Sequence, residues 1–176
     1  EPSNRKKVSP IGFRNIMAIW WVGTAGQSAW SVENSWFNKF VYDRITTNPR
    51  PIAWMVAVSA VVAMFTTLLM GILSDRTYGK WGKRKPYIVF GYILWGIITA
   101  IYPMIDWVQN VGIAVVFVVI TDAVMTFFGS TSNDSAYNAW LKDFSQSSNR
   151  NRIQSINNIS GYLANAIAIV AAGFII

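Results

Sequence analysis

The sequence predicts an all-α membrane protein with about five transmembrane helices. Of its 176 residues, 53% are hydrophobic and only 13% are charged, whereas soluble domains carry roughly 25% charged residues. Charge is concentrated in loops between apolar stretches, and residues 52–74, 87–105 and 153–176 contain no charged residue. These stretches have the length that a helix needs to cross a hydrocarbon core, about 20 residues.

The apolar stretches and the prolines between them determine the predicted helix bounds. Pro49 and Pro51 separate the first two helices, because proline ends one helix and favours the first turn of the next. Helix one is longer than the hydrocarbon core requires, so we expect it to span the membrane with a tilt. The helices, numbered one to five in chain order, are predicted at about residues 13–42, 52–73, 87–104, 111–140 and 152–176.

The composition excludes several classes of function. Cysteine and histidine are both absent, which excludes disulfide frameworks, Cys/His zinc sites and catalytic triads that depend on an imidazole. Because the sequence also has no nucleotide-binding loop, metal-ligand cluster or activated nucleophile, we expect neither an enzyme nor a cofactor. The net charge of +7 lies in loops between apolar spans, a pattern typical of membrane topology rather than of a nucleic-acid partner.

Lysine and arginine are distributed unevenly between the two sides of the predicted bundle. One side has Arg44 and Arg50, with Lys39 just inside a helix end. The positive-inside rule then predicts a cytoplasmic N-terminus in the plasma membrane, and the first span is too long for a signal peptide. The more basic side carries Arg5, Lys6, Lys7, Arg14, Arg76, Lys80, Lys83, Arg84, Lys85, Lys142, Arg150 and Arg152.

The loop between helices two and three has the most specific pattern in the sequence. Residues 71–76 read Gly-Ile-Leu-Ser-Asp-Arg, and residues 79–86 read Gly-Lys-Trp-Gly-Lys-Arg-Lys-Pro. Gly71 permits close helix packing, Asp75 can cap a helix or pair with a cation, and Pro86 favours the start of helix three. The alternative is a merely solvated basic loop, although charge bias alone requires neither the Asp-Arg pair nor this glycine spacing.

This loop resembles the loop between helices two and three of the major facilitator superfamily. Its end, residues 82–86, is most similar to the glycoside–pentoside–hexuronide:cation symporters, the family of the melibiose carrier. A second match covers residues 133–140, Asn-Asp-Ser-Ala-Tyr-Asn-Ala-Trp, and residues 150–152. The resemblance implies twelve helices in two six-helix halves. Since the chain begins at Glu1 without methionine and ends in an apolar stretch, we expect it to contain most of the N-terminal half, without the C-terminal half.

Polar residues inside helices one, four and five form a stripe on each helix. Because polar side chains face lipid only at a high cost, the three stripes predict an interior cavity. For any single residue, a hydrogen bond between helices is the alternative. Amides, hydroxyls and a carboxylate can bind sugar hydroxyls, and a tryptophan ring can cover the apolar face of the sugar. The predicted substrate-binding residues are Gln27, Trp30, Ser31, Asn34, Asn133, Asp134, Tyr137, Asn138 and Asn158.

Three carboxylates lie within the predicted spans: Glu33, Asp122 and Asp134. Ionisable groups inside a membrane indicate functional sites, so we predict these three as cation-coupling residues. Glu33 lies about 120° from the helix-one stripe at the α-helical period, which makes it a weaker direct sugar ligand. The resemblance implies that Asp134 belongs to the sugar site, and a position at the cytoplasmic edge is the alternative.

The sequence departs from the family pattern at four aligned positions. Gln27 replaces a sugar-binding aspartate, and Ser160 stands where the family has an arginine. Ala63 and Thr67 align with two sodium-site carboxylates, so these positions cannot form a cage of carboxylate oxygens for a hard cation. We therefore expect H⁺ rather than Na⁺ as the coupling cation, because one buried carboxylate is enough to carry a proton, and uniport stays open.

Charged residues at the cytoplasmic ends of the helices are predicted to form a gate. In alternating access two halves rock about a midplane site, and ion pairs between the halves can hold one state. Contact of Arg150 and Arg152 with lipid phosphate is the alternative. The predicted gating residues are Asp75, Arg76, Lys80, Lys83, Arg84, Arg150 and Arg152.

Together these patterns predict a secondary transporter of a sugar or glycoside, coupled to a proton. One alternative is a transporter of a non-sugar amphiphile such as a lysolipid, which the many aromatic residues would suit. A second alternative is a structural membrane subunit that does not transport. A polar cavity favours the two transporters, whereas a filled, dry bundle would favour the structural subunit.

Overall fold

The computed structural model describes residues 12–147 and 149–173, without the side chains of residues 144 and 171–173. Every regular element in these residues is a helix, which confirms the all-α prediction. The helices lie at the predicted positions, with bounds that differ from the predicted ones by a few residues. Residues 174–176, the predicted end of helix five, lie outside the described residues.

Helix one changes its winding along its length. A regular α-helix covers Phe13–Ser31, followed by a π-helix over Val32–Phe37, an α-helical turn over Asn38–Phe40 and a second π-helix over Val41–Ile45. Segments of π-helix are rare and occur frequently at functional sites. The first π segment contains Glu33, which is buried.

Helices two and three begin at the prolines that separate them from the preceding loops. Helix two covers Pro49–Arg76, and helix three covers Lys85–Ile101 with a 3₁₀-helical continuation over Tyr102–Trp107. Asn48 caps helix two, because its side-chain oxygen accepts a hydrogen bond from the Arg50 backbone N–H at 3.0 Å.

Helix four is also interrupted by π-helical winding. It comprises α-helical Val111–Gly129, π-helical Ser130–Tyr137 and α-helical Asn138–Phe144, and helix five covers Arg150–Gly173. In the π segment, Thr131 and Ser132 each donate a side-chain hydrogen bond of 2.7 Å to the carbonyl four residues earlier. These bonds satisfy both hydroxyls within helix four, where most of the π segment is buried.

The helices pack around helix one and helix four. Helix one has its most extensive contacts with helix five, and helix four contacts helices two and three. Glycine permits close packing of helix one, because a Cβ atom on Gly23 would lie 2.7 Å from Ser160 Oγ and 2.9 Å from the Tyr137 hydroxyl. At the end of the bundle opposite the helix two–three loop, Phe37 stacks on Tyr102 with ring centroids 3.9 Å apart.

Three of the described helices are long and apolar enough to cross a membrane: Pro49–Arg76, Lys85–Trp107 and Val111–Asp143. Helix two exposes large apolar side chains along its outer face, as expected for contact with lipid. Helices one and five were also predicted as spans and are not among the three; they carry polar stripes. The topology prediction also used Arg5, Lys6 and Lys7, which lie outside the described residues.

Candidate functional site

A polar groove lies between the end of helix four and the start of helix five. Its volume is about 300 Å³. The groove brings two predicted substrate residues, Asp134 and Asn138, together with one predicted gating residue, Arg150. It is lined by Asp134, Asn138, Leu141, Lys142, Ser145, Arg150, Ile153 and Gln154.

The Asp134 carboxylate is partly exposed at this groove. Ser130 Oγ donates a hydrogen bond to it at 3.2 Å, and Asn133 Nδ2 donates another at 3.0 Å. The side chain of Trp30 on helix one also lies near this carboxylate. Since an ionised carboxylate offers about four acceptor positions, Asp134 retains capacity to accept a hydrogen bond from a ligand.

Of the predicted substrate residues on helix one, one lies near this groove, and two others lie on the exposed side of helix one. Trp30 is partly exposed and reaches Asp134. Gln27 is exposed and packs on helix five, where a Cβ atom on Gly161 would lie 3.0 Å from Gln27 Cγ. Asn34 is exposed and donates a hydrogen bond of 2.8 Å to the Trp30 carbonyl.

Two predicted amides on helices four and five are exposed as well. Asn138 Nδ2 donates to the Asp134 carbonyl at 3.2 Å. The Asn158 side-chain oxygen accepts from Gln154 Nε2 at 3.2 Å, and Gln154 itself lines the groove. Each of these bonds is local to its own helix, so the remaining polar atoms of both amides are free to meet a ligand.

Asn133, Tyr137 and Ser31 lie inside the helix packing, which differs from the expectation that they line a cavity. All three are buried. Tyr92 donates to the Asn133 side-chain oxygen at 2.9 Å, and the Tyr137 hydroxyl lies 2.8 Å from Asn157 Oδ1 and 3.0 Å from a helix-one carbonyl oxygen. For Asn133 and Tyr137, the alternative of hydrogen bonds between helices therefore describes this conformation better.

Glu33 lies between helices one, three and four with only 5% of its surface exposed. Trp95 Nε1 donates to Oε2 at 3.1 Å, and Thr126 Oγ1 donates to Oε1 at 2.9 Å. Among the described residues, no lysine or arginine forms an ion pair with it. The carboxylate is thus held by two neutral donors from two helices, away from the groove.

Asp122 is a second interior carboxylate, buried between helices four and two. Ser59 of helix two donates a hydrogen bond to its Oδ2, and Asp122 is close enough to Glu33 for the two carboxyl groups to interact. The three predicted coupling residues therefore divide into two interior carboxylates and one at the groove. Within the described residues, no group of three or more Asp, Glu, His or Cys side chains is placed to hold a metal ion.

Arg84 joins the ends of helices two, three and four at the basic loop. Its Nη2 forms an ion pair with Asp75, its Nη1 donates to Ser74 Oγ at 2.5 Å, and its Nε donates to Asp143 at 3.1 Å. The gating hypothesis expected partners in another half of the protein, whereas Arg84 and Asp75 are partners of each other. Asp143 was not predicted, although its position at the end of helix four, on the side of the basic loop, was a usable signal.

The other predicted gating residues are exposed. Lys83 Nζ lies 5.0 Å from the centroid of the Tyr78 ring, within the distance of a cation–π contact. Arg150 lines the groove together with Lys142, so two cationic residues share the groove with Asp134. The exposed set comprises Arg76, Lys80, Lys83, Arg150 and Arg152.

Long apolar helices with carboxylates buried between them are typical of an integral membrane protein whose interior carries a functional site. Residues 12–176 match the family described as the Major Facilitator Superfamily. The chain belongs to this superfamily, whose members are transporters, and the superfamily-level resemblance is confirmed. A search of curated proteins and a search of solved structures each found no significant match.

Proposed function

We propose that the protein transports a sugar or glycoside by alternating access, together with a proton. The observation that carries the proposal is Asp134, a carboxylate within a helical span that is partly exposed to a polar groove and lies near Trp30. A carboxylate is costly within a membrane and marks a substrate or ion pathway.

The chemistry around Asp134 suits a polyhydroxylated ring. A carboxylate accepts hydrogen bonds from two neighbouring hydroxyls, and the side-chain amides of Asn138 and Asn158 both donate and accept. Trp30 presents a large apolar ring with a single donor, which can cover the C–H face of a sugar. We propose these four residues and Gln27 as the substrate contacts of this part of the protein.

Proton coupling is proposed for Glu33. Because its two donors are neutral, it can gain or lose a proton without breaking an ion pair. Sodium coupling has less support, since Ala63 and Thr67 supply no carboxylate to helix two and a hard cation prefers several carboxylate oxygens. Asp122 is the second coupling candidate, because it is buried and interacts with Glu33.

We propose that a C-terminal six-helix half of the same protein completes the groove. The N-terminus is then cytoplasmic in the plasma membrane, as the positive-inside rule favours. Arg150, at the groove, is in position to pair with a carboxylate of that half in one state of the cycle. Arg84 with its partners Ser74, Asp75 and Asp143, the Arg84 cluster, keeps the ends of helices two, three and four together during the movement.

The test is substrate-induced proton movement in proteoliposomes that contain the complete protein. Monosaccharides and disaccharides are added outside one at a time, with and without sodium, and the external pH is recorded. We expect one sugar to raise the external pH independently of sodium. Sodium-dependent uptake without proton movement would contradict proton coupling. Transport of a lysolipid without binding of any sugar would show that the substrate is an amphiphile rather than a sugar. No transport of any compound would favour a structural role.

A further inference from the structure

Two tryptophan rings connect the buried carboxylate Glu33 with the groove carboxylate Asp134. Trp95 on helix three donates from Nε1 to Glu33 at 3.1 Å. The Trp95 ring packs edge-on against Trp30 of helix one, with centroids 5.0 Å apart and an interplanar angle of 63°. Trp30 in turn lies near Asp134. The path therefore runs from the interior to the groove through neighbouring side chains, with direct contacts from Glu33 to Trp95 and from Trp95 to Trp30.

Gly129 of helix four holds both rings close together. A Cβ atom at this position would lie 3.0 Å from Trp95 Cε2 and 3.2 Å from Trp30 Cζ2. Both distances are shorter than ordinary van der Waals contact, so the rings pack directly on the helix-four backbone. Trp95 is also only 1% exposed. Since close-packed interiors transmit displacement, a movement of the Trp95 ring has to displace its neighbours.

We propose that Trp95 is a positioning residue that transmits the protonation state of Glu33 to Trp30 and Asp134 at the groove. The role assigned to the groove rests on the proposed transport function. The connection between the two carboxylates does not depend on it.

The physical basis is the change in the Trp95–Glu33 hydrogen bond on protonation. An ionised acceptor makes a shorter bond, roughly twice as strong as a neutral one. When Glu33 takes up a proton, this charge assistance is lost and one carboxyl oxygen becomes a donor. Trp95 is then held less firmly, and its edge contact with Trp30 changes. By linkage, a ligand that fixes Trp30 and Asp134 alters proton binding at Glu33 by the same factor.

Other titratable groups also face this region. Asp122 and Asp134 of helix four interact with Glu33, and so does Tyr102, which follows helix three. Asp134 could act on Trp30 directly, without Trp95. A decisive test therefore has to separate titration of Glu33 from titration of Asp134.

The experiment is ¹⁹F NMR of the complete protein labelled with 5-fluorotryptophan in lipid nanodiscs, titrated with pH in the absence of substrate. The Trp30 and Trp95 signals are assigned with Trp30→Phe and Trp95→Phe. The outward-facing Trp54 of helix two, which is 68% exposed, serves as the internal control. We expect the Trp30 and Trp95 signals to shift with the same midpoint, while the Trp54 signal does not follow them.

Substituted variants then identify the residues that transmit the protonation of Glu33 to Trp30. Glu33→Gln should abolish both shifts. Trp95→Phe should abolish the Trp30 shift, and Gly129→Ala, which inserts a methyl group between the rings, should leave the Trp95 shift and remove that of Trp30. Asp134→Asn should leave the Trp95 shift in place.

A Trp30 shift that persists in both Trp95→Phe and Gly129→Ala would overturn the proposal, as would loss of the shift only in Asp134→Asn. If Trp95→Phe does not fold, Gly129→Ala alone still decides between the outcomes. A complete set of expected shifts, in a protein that transports no sugar, would leave the connection standing and contradict only the transport function.

Discussion

Glu33 and Asp134 are both carboxylates in membrane helices, and the structure gives them opposite surroundings. Glu33 is buried, with one neutral donor from helix three and one from helix four. Asp134 is partly exposed at a polar groove, with two donors from its own helix. The difference indicates a division of tasks: an enclosed group suits storage of a proton, whereas an accessible group suits contact with a solute.

The largest expected effect comes from exchanging each carboxylate for its amide. Asp134→Asn should weaken substrate binding by about tenfold to 100-fold, because hydrogen bonds to a charged group contribute about 1.5–3 kcal/mol. Glu33→Gln should bind substrate and exchange it across the membrane but fail to accumulate it against a gradient. Equilibrium binding and counterflow in proteoliposomes measure the two effects. Loss of substrate binding in Glu33→Gln, together with retained substrate binding in Asp134→Asn, would contradict this assignment of roles.

Two matched substitutions, each of which removes one hydrogen-bond donor to a carboxylate, test the same difference with effects of intermediate size. Thr126→Val removes a donor to the buried carboxylate and should cost about 1–3 kcal/mol of stability. Ser130→Ala removes a donor to the accessible carboxylate and should cost about 0.5–1.5 kcal/mol, because the Asp134 carboxylate stays partly exposed to solvent at the groove. Thermal unfolding of the detergent-solubilised variants measures both. A larger loss for Ser130→Ala would show that Asp134 is the more enclosed group.

The smallest expected effect concerns the Arg84 cluster, whose acidic partners are largely exposed. Asp143→Asn removes one ion pair, but the Asp143 side chain is 55% exposed, so solvent screening limits the loss to about 0.2–1 kcal/mol. Arg84 retains Asp75 and Ser74 as partners. Asp106→Asn is the control, since Asp106 forms no ion pair among the described residues. A loss of several kcal/mol for Asp143→Asn alone would mean that this cluster is buried in the complete protein.

The sequence was sufficient to predict the helical class, and it separated buried from exposed polar residues on helix one. Long apolar stretches and flanking prolines located the helices, and helical periodicity separated Glu33 from Gln27 and Asn34. In the structure Glu33 is buried and the other two residues are exposed. Asp134 was recognised because a carboxylate inside a span is rare.

Contacts between helices could not be predicted in the same way. Burial of Asn133 and Tyr137 depends on Tyr92 of helix three and Asn157 of helix five, and a periodicity argument treats each helix alone. The π-helical segments also alter the angular spacing that such an argument assumes. The contact between Trp95 and Trp30 depends on Gly129 of a third helix, which no local pattern indicates.

The central claim is that the groove at Asp134 belongs to the substrate pathway, and cysteine accessibility tests it most directly. The sequence contains no cysteine, so Asn138→Cys at the groove and Met64→Cys on the outer face of helix two form a matched pair. We predict that a membrane-impermeant thiol reagent labels Asn138→Cys, that the transported sugar slows this labelling, and that Met64→Cys does not react. An unreactive Asn138→Cys, or labelling that no sugar slows, would contradict the claim.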